Sequence, residues 1–206
     1  MYPEINKVCD SLYKKASSIP EGRKIVLQKL STTVQKMRSD GQMVELLFVC
    51  THNSRRSHFG QIWAAVAAHY FGINDVSTFS AGTEVTALHP NVLNALRIQG
   101  FQISTSEHTS SNRKYNVSFG NDLHLTCFSK LVTDASNPTK GFTAIMTCSD
   151  AELNCPIVPG ANQRIAITYE DPKIFDGTAD EGHAYLNRSD QIATEMLYVF
   201  SQITTP

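Results

Sequence analysis

Leu46-Leu47-Phe48-Val49-Cys50-Thr51-His52-Asn53-Ser54-Arg55-Arg56-Ser57 is an apolar run that ends on a cysteine, with an arginine and a serine arriving after five further residues. Val44 to Val49 is apolar almost throughout, as suits a strand in the middle of a parallel sheet. Gln61, Ile62, Ala65, Val66 and Tyr70 then fall at helical spacing. A chain that leaves a strand and turns at once into a helix aims successive backbone N–H groups at one point. Those donors and the helix dipole favour an anion there. Arg56 adds a planar fork able to grip two oxygens of a tetrahedral oxyanion, and the same positive field favours the Cys50 thiolate, the form that attacks. Asn53 is placed for a left-handed turn residue. Ser57 can donate its hydroxyl to the sulfur or cap the following helix. His52 and Arg55 read as solvated on the outer rim of the loop. A buried strand-end cysteine beside two surface arginines is the alternative, because that spacing also arises by chance. The strand before, the helix after, Asn53 and Ser57 favour the catalytic reading.

The chain has 206 residues, enough for one domain with a generous extension. Lys+Arg total 18 against 19 Asp+Glu, a net charge of −1, so no broad basic footprint argues for nucleic acid or a membrane surface. No apolar run reaches the length of a membrane span, and the first residues, with Glu4 and Asp10, lack a signal-peptide pattern. The cytoplasm is the expected compartment. Five cysteines are an odd number and too sparse for a disulfide scaffold, which fits a reducing environment where thiols do chemistry.

The first forty residues read as two helices. Ile5, Val8, Cys9 and Leu12 form one stripe and Leu27, Leu30, Val34 and Met37 another; Cys9 is expected in the core. Ser18-Ile19-Pro20-Glu21 spells a capping box at the entrance of the second helix, and Gly41 closes it. These helices should pack against the rest of the chain or against a second copy, as in a homodimer. Further on, the pattern predicts a helix over 57–71, a strand over 76–79, a helix over 90–98, strands over 142–147 and 164–169, and a last helix capped by Ser189. The stretch 104–141, rich in Ser, Thr and Asn, reads as loop with short helical pieces. Strands alternating with helices predict a parallel α/β sheet with right-handed crossovers.

Two further clusters carry chemistry. Glu170-Asp171-Pro172 follows the last strand and so lies at the carboxyl edge of the sheet, where the Cys50 loop opens. Asp before Pro is a common turn, yet beside a cysteine-arginine loop Asp171 is a candidate general acid. Cys148 and Cys155 are separated by six residues. Zinc prefers closer pairs and needs further ligands, so no metal is expected. Two buried structural cysteines or a redox pair remain. On a regular helix their Cα atoms would be about 10 Å apart along the axis at about 1.5 Å per residue, beyond the reach of about 7 Å that a disulfide tolerates. Joining them would require that segment to unwind.

Taken together, these three motifs resemble the low-molecular-weight protein tyrosine phosphatase superfamily, and within it the thioredoxin-coupled arsenate reductases. The loop from Cys50 to Ser57 is similar to their oxyanion loop, Cys148-Ser149-Asp150-Ala151 with Cys155-Pro156 to their redox pair, and Glu170-Asp171-Pro172 to their acid motif. Ser80-Ala81-Gly82-Thr83 and His108-Thr109-Ser110 also look like family landmarks. The likeness runs from Leu46 to the end of the chain, and much of 112–141 lies outside it. It implies a four-stranded parallel sheet flanked by helices over 44–206, with 1–43 as an N-terminal helical extension. By position, Cys50 would attack the oxyanion centre, while Thr51, His52, Asn53, Ser54, Arg55 and Arg56 would surround its oxygens. Ser57 would support the thiolate and Asp171 would protonate the departing oxygen. Cys148 would then attack the Cys50 sulfur, releasing arsenite, Cys155 would resolve the mixed disulfide, and thioredoxin would reduce the Cys148–Cys155 bond.

Departures from the family pattern have consequences. Arg55 replaces a second loop cysteine, which strengthens the anion field. His52 replaces a glycine. Gln61 and Ser111 stand where potassium-binding reductases carry acidic ligands, so that cation is not expected. Lys173-Ile174-Phe175 lacks the tyrosine pair of many phosphotyrosine hydrolases. The leading expectation is a thiol-dependent arsenate reductase without cofactor. The alternative is a phosphatase that hydrolyses phosphomonoesters through a cysteinyl-phosphate, for which Cys50, Arg56 and Asp171 suffice. A non-catalytic arsenite sensor built on three thiols is a third class, and Asp171 argues against it.

Overall fold

The computed structural model describes residues 1–154 and 157–204. Two helices, α1 (Pro3–Lys14) and α2 (Glu21–Ser39), precede β1 (Val44–Cys50) and α3 (Arg56–Tyr70). β2 (Val76–Gly82), α4 (Pro90–Ile98), β3 (Gln102–Ser104), β4 (Tyr115–Ser118) and β5 (His124–Cys127) follow. β6 (Phe142–Met146), α5 (Ser149–Asn154), β7 (Ala161–Ala166) and α6 (Glu181–Ser201) complete the order. Four strands form a parallel sheet in the order β2-β1-β6-β7, as expected. Among the described residues no helix is long and apolar enough to cross a membrane.

Strand alternation explains why the middle of the sheet is apolar on both sides. Leu46 and Phe48 of β1 enter the larger core, built with Phe59, Ile62 and Trp63 of α3 and with Ile192, Met196 and Phe200 of α6. Leu47 and Val49 face the smaller core, with Phe142, Ala144 and Met146 of β6 and with Cys50, Cys148 and Ala151. The N-terminal helices share the larger core. Ile5, Cys9 and Leu12 of α1 and Leu27, Leu30 and Val34 of α2 are all buried in it. Arg23 of α2 also makes a two-point bond to the buried Glu195 of α6, at 3.0 and 2.7 Å.

Four local expectations are corrected. The stretch 104–141 is not loop with helical pieces. β4 and β5 form an antiparallel hairpin that β3 extends to three strands. Each of these strands has three or four residues, too short for alternation to stand out of a polar background. The last helix starts at Glu181, not beside Ser189, which lies buried within it and receives Trp63 Nε1–H at 2.8 Å. In its first two turns Tyr185 alone is buried, so they hide their helical period. The capping box does not form: Pro20 precedes α2, Ser18 Oγ donates to Lys15 O and Glu21 takes Lys24 Nζ. β7 begins at Ala161 rather than 164. Beyond it, Ile167 and Tyr169 still donate to Met146 O and Thr147 O, carrying the chain along β6 toward Asp171. Gly41 does close α2, at φ +69.

Candidate active site

The loop between β1 and α3 owes its shape to its carbonyls. Cys50 O accepts from Thr83 N–H, and Thr51 O accepts from Glu84 N–H. His52 O takes the hydroxyls of Ser129 and Thr86. Asn53 O takes His58 Nε2, Ser54 O takes His89 N–H, and Arg55 O takes Phe59 N–H within the first turn of α3. Six successive carbonyls are therefore held by donors outside the loop. A trans peptide sets N–H opposite to C=O, so the N–H groups of residues 51–56 turn to the other side, inward. The loop is a nest of donors at a helix N-terminus, able to bind an oxyanion. Asn53 makes the turn at φ +42, the left-handed geometry its sequence position suggests.

Gly82 closes the loop from behind. A Cβ there would lie 2.7 Å from Asn53 N, Thr51 O and Glu84 O, all backbone atoms, so only glycine lets β2 approach this closely.

Cys50 Sγ lies 3.1 Å from Ser57 Oγ, and Ser57 Oγ accepts from Asn53 Nδ2 at 2.8 Å. With its lone pair engaged, the hydroxyl can direct its hydrogen at the sulfur. Asn53 Oδ1 in turn accepts from Lys130 N–H. His58 supports the same turn from beneath. It is wholly buried, and burial above all, then the charge of Lys130, depresses its pKa to about 3, although the Asn53 carbonyl pulls it upward. The neutral ring donates Nε2–H to Asn53 O and accepts at Nδ1 from Ser80 Oγ, at 3.2 Å.

Arg56 is buried. Its Nη1 donates to Tyr169 O at 2.9 Å and its Nη2 to Asp171 Oδ2 at 2.6 Å, while Nε, also buried, has no partner among the described residues. Asp171 Oδ1 accepts from Lys173 N–H and lies 3.9 Å from Arg55 Nε. Cys148 lies two residues beyond β6. The bond from Thr147 N–H to Val49 O sets it beside the end of β1, and its sulfur lies 3.5 Å from Thr51 Oγ1 and accepts from Ala151 N–H at 3.3 Å.

No family model matches the chain. Over 145 residues it is 30% identical to an arsenate reductase of Bacillus subtilis (strain 168), an alignment that spans 69% of this chain and 84% of that protein. It belongs to the arsenate reductase family. Solved structures agree on the fold. A low-molecular-weight phosphotyrosine phosphatase from Vibrio cholerae O395 superposes with a TM-score of 0.51 at 14% identity, covering 77% of this chain and 94% of that one. An arsenate reductase in its oxidized state gives 0.50 at 16% identity, covering 79% and 100%.

Within this family fold, Cys50, Asn53, Ser54, Arg56, Ser57, Asp171 and Cys148 converge at the carboxyl edge of the sheet. Cys155 lies outside the described residues. His52 sits on the rim, 3.4 Å from Glu84. Arg55 does not: its side chain is only 12% exposed, with Nε donating to Tyr185 OH at 2.7 Å and Nη2 to Asp176 at 3.2 Å. The cause is two acceptors on the segment that leads into α6 and on α6 itself, more than 120 residues away. His58, Lys130, Tyr185 and Asp176 are structural contributors that sequence reasoning missed. Only His58 had a signal, five residues after the left-handed Asn53.

Proposed function

We propose that the chain is a thiol-dependent arsenate reductase in which the 50–56 nest and Arg56 hold arsenate while the Cys50 thiolate attacks arsenic. Asp171 protonates the departing oxygen, which leaves as water. An oxyanion in the nest competes with Asp171 for Arg56 Nη2 and gives the buried Nε a partner, so substrate binding frees the acid as it engages the fork. Cys148 then attacks the Cys50 sulfur. The sulfur–arsenic bond breaks, its electron pair stays on arsenic, and arsenite leaves. Cys155 attacks Cys148, restores the Cys50 thiolate and forms the Cys148–Cys155 disulfide, which takes two electrons from thioredoxin. This cycle belongs in a reducing compartment.

The observation that carries the reading is the second thiol. Cys148 stands at the end of the strand next to that of Cys50, in contact with the loop residue Thr51 and in the same small core. Hydrolysis has no use for it. The Arg56–Asp171 pair at the loop mouth supports a phosphatase as the second reading, since an acid beside the cradle is what a phosphomonoester requires.

Coupled assays with thioredoxin, its reductase and NADPH test the choice. Cys50→Ser should abolish both arsenate reduction and p-nitrophenyl phosphate hydrolysis. Cys155→Ser should spare hydrolysis yet stop multiple-turnover reduction; equal reduction rates in that variant and the wild type would refute the shuttle.

A further inference from the structure

The β4–β5 hairpin walls a cleft of about 620 Å³ with α3 and β2. Such a volume suits a small molecule. From the hairpin side come His124, Thr126 and Phe128, which alternate along and just beyond β5. Gln61 of α3 and Thr78 of β2 face them.

The polar groups in this cleft are incompletely satisfied. Gln61 is 3% exposed and Thr78 6%. Gln61 Nε2 donates to Thr78 O, but Gln61 Oε1 and Thr78 Oγ1 are buried without partners among the described residues. Buried polar atoms almost always have one. Two ammonium groups also line the cleft. Lys114 Nζ and Lys130 Nζ each lie over the ring of Phe128, 5.1 and 4.7 Å from its centroid, and among the described residues neither forms an ion pair. Lys130 is 4% exposed, and desolvation pulls its pKa below the usual lysine value. Of the acids near them, Asp134 is already bonded to the N–H and hydroxyl of Ser136, and Glu107 accepts the backbone N–H of Lys114. Two like charges gathered at one ring beside buried orphan acceptors are a poor arrangement for an empty surface and a good one for an anion that carries hydroxyls.

We propose that this cleft binds a small phosphorylated, hydroxyl-bearing metabolite, with its phosphate drawn by Lys114 and Lys130 and its hydroxyls on Gln61 Oε1 and Thr78 Oγ1. The site is separate from the oxyanion loop but tied to it. The Lys130 N–H holds Asn53 Oδ1, the Lys130 carbonyl takes Gly82 N–H, and the preceding Ser129 Oγ holds His52 O. A ligand that fixes Lys130 therefore steadies the bonds that shape the nest. The coupling is reciprocal: metabolite and oxyanion each tighten the other.

Calorimetry on the full chain tests binding independently of turnover, so its outcome does not depend on the reductase reading. The probes are glucose 6-phosphate and AMP, with inorganic phosphate and glucose as controls. Arg56→Ala, titrated in parallel, removes competition from the oxyanion loop. At least one phosphorylated probe should bind both wild type and Arg56→Ala, with glucose silent and inorganic phosphate at least about tenfold weaker in Arg56→Ala. Lys114→Met, at an exposed position, should weaken that probe by about tenfold or more. Failure of both phosphorylated probes to bind the wild type, or binding left unchanged by Lys114→Met and by Gln61→Leu, would overturn the proposal.

Discussion

At the scale of single residues, the side chains that hold the loop matter as much as those that react. His58 is the clearest case. In the unfolded chain a histidine titrates near 6.5, whereas in the fold it stays neutral down to about 3. As pH falls below 6.5 the unfolded chain binds a proton that the folded chain refuses, so stability is lost progressively between about 6.5 and 3 and is unaffected by this group above that window. Between pH 6.5 and 5 the loss should be about 2 kcal/mol. Urea denaturation of wild type and His58→Gln at pH 7 and pH 5 measures it, and equal losses in the two proteins would count against the neutral, buried imidazole. Asp171 makes a kinetic prediction. Asp171→Asn should slow hydrolysis of aryl phosphates most for poor leaving groups, by about 10² to 10⁴, whereas a uniform slowing across leaving groups would make it only a partner of Arg56. Cys50, Arg56, Ser57 and Asn53 were legible because their geometry is local: one strand, one turn and one helix start fix all four. The surroundings of Arg55 were not, because Tyr185 and Asp176 are remote in sequence and nothing in the loop announces them.

At the scale of elements, the close approach of β2 to the Cys50 loop makes the sharpest demand. The three atoms that a Cβ on Gly82 would strike are backbone, so no side-chain rotation relieves the contact. Gly82→Ala should keep the circular dichroism of the fold yet lower kcat/KM by about 10², as expected when a loop shifts by about an ångström. Unchanged kinetics would mean that the loop does not depend on this contact. The strands of the parallel sheet could be read from their apolar runs, to within a few residues at their ends. The β3–β4–β5 sheet could not. Tyr115–Ser118 and His124–Cys127 alternate, but over only four residues each, and the Ser, Thr and Asn around them speak for loop. The start of α6 was missed for a related reason: much of Glu181–Arg188 faces outward and carries little apolar period.

At the scale of the whole molecule, the parallel sheet brings two thiols to one edge because adjacent strands, β1 and β6, both end there. The larger core is continuous with the N-terminal helices. Leu27, Leu30 and Val34 are fully buried, and Arg23 answers the buried Glu195 carboxylate, so residues 1–43 complete the α6 side of the fold rather than trail from it. The central claim is that electrons pass from thiols in this one chain to arsenic bound on Cys50. Its most direct test is a single turnover: fully reduced protein mixed with equimolar arsenate, without thioredoxin, quenched in acid and analysed for arsenite and for disulfide-linked peptides. The account predicts about one arsenite per chain, a Cys148–Cys155 disulfide and Cys50 returned as a free thiol. No arsenite and no disulfide, from a preparation that still hydrolyses p-nitrophenyl phosphate, would contradict it.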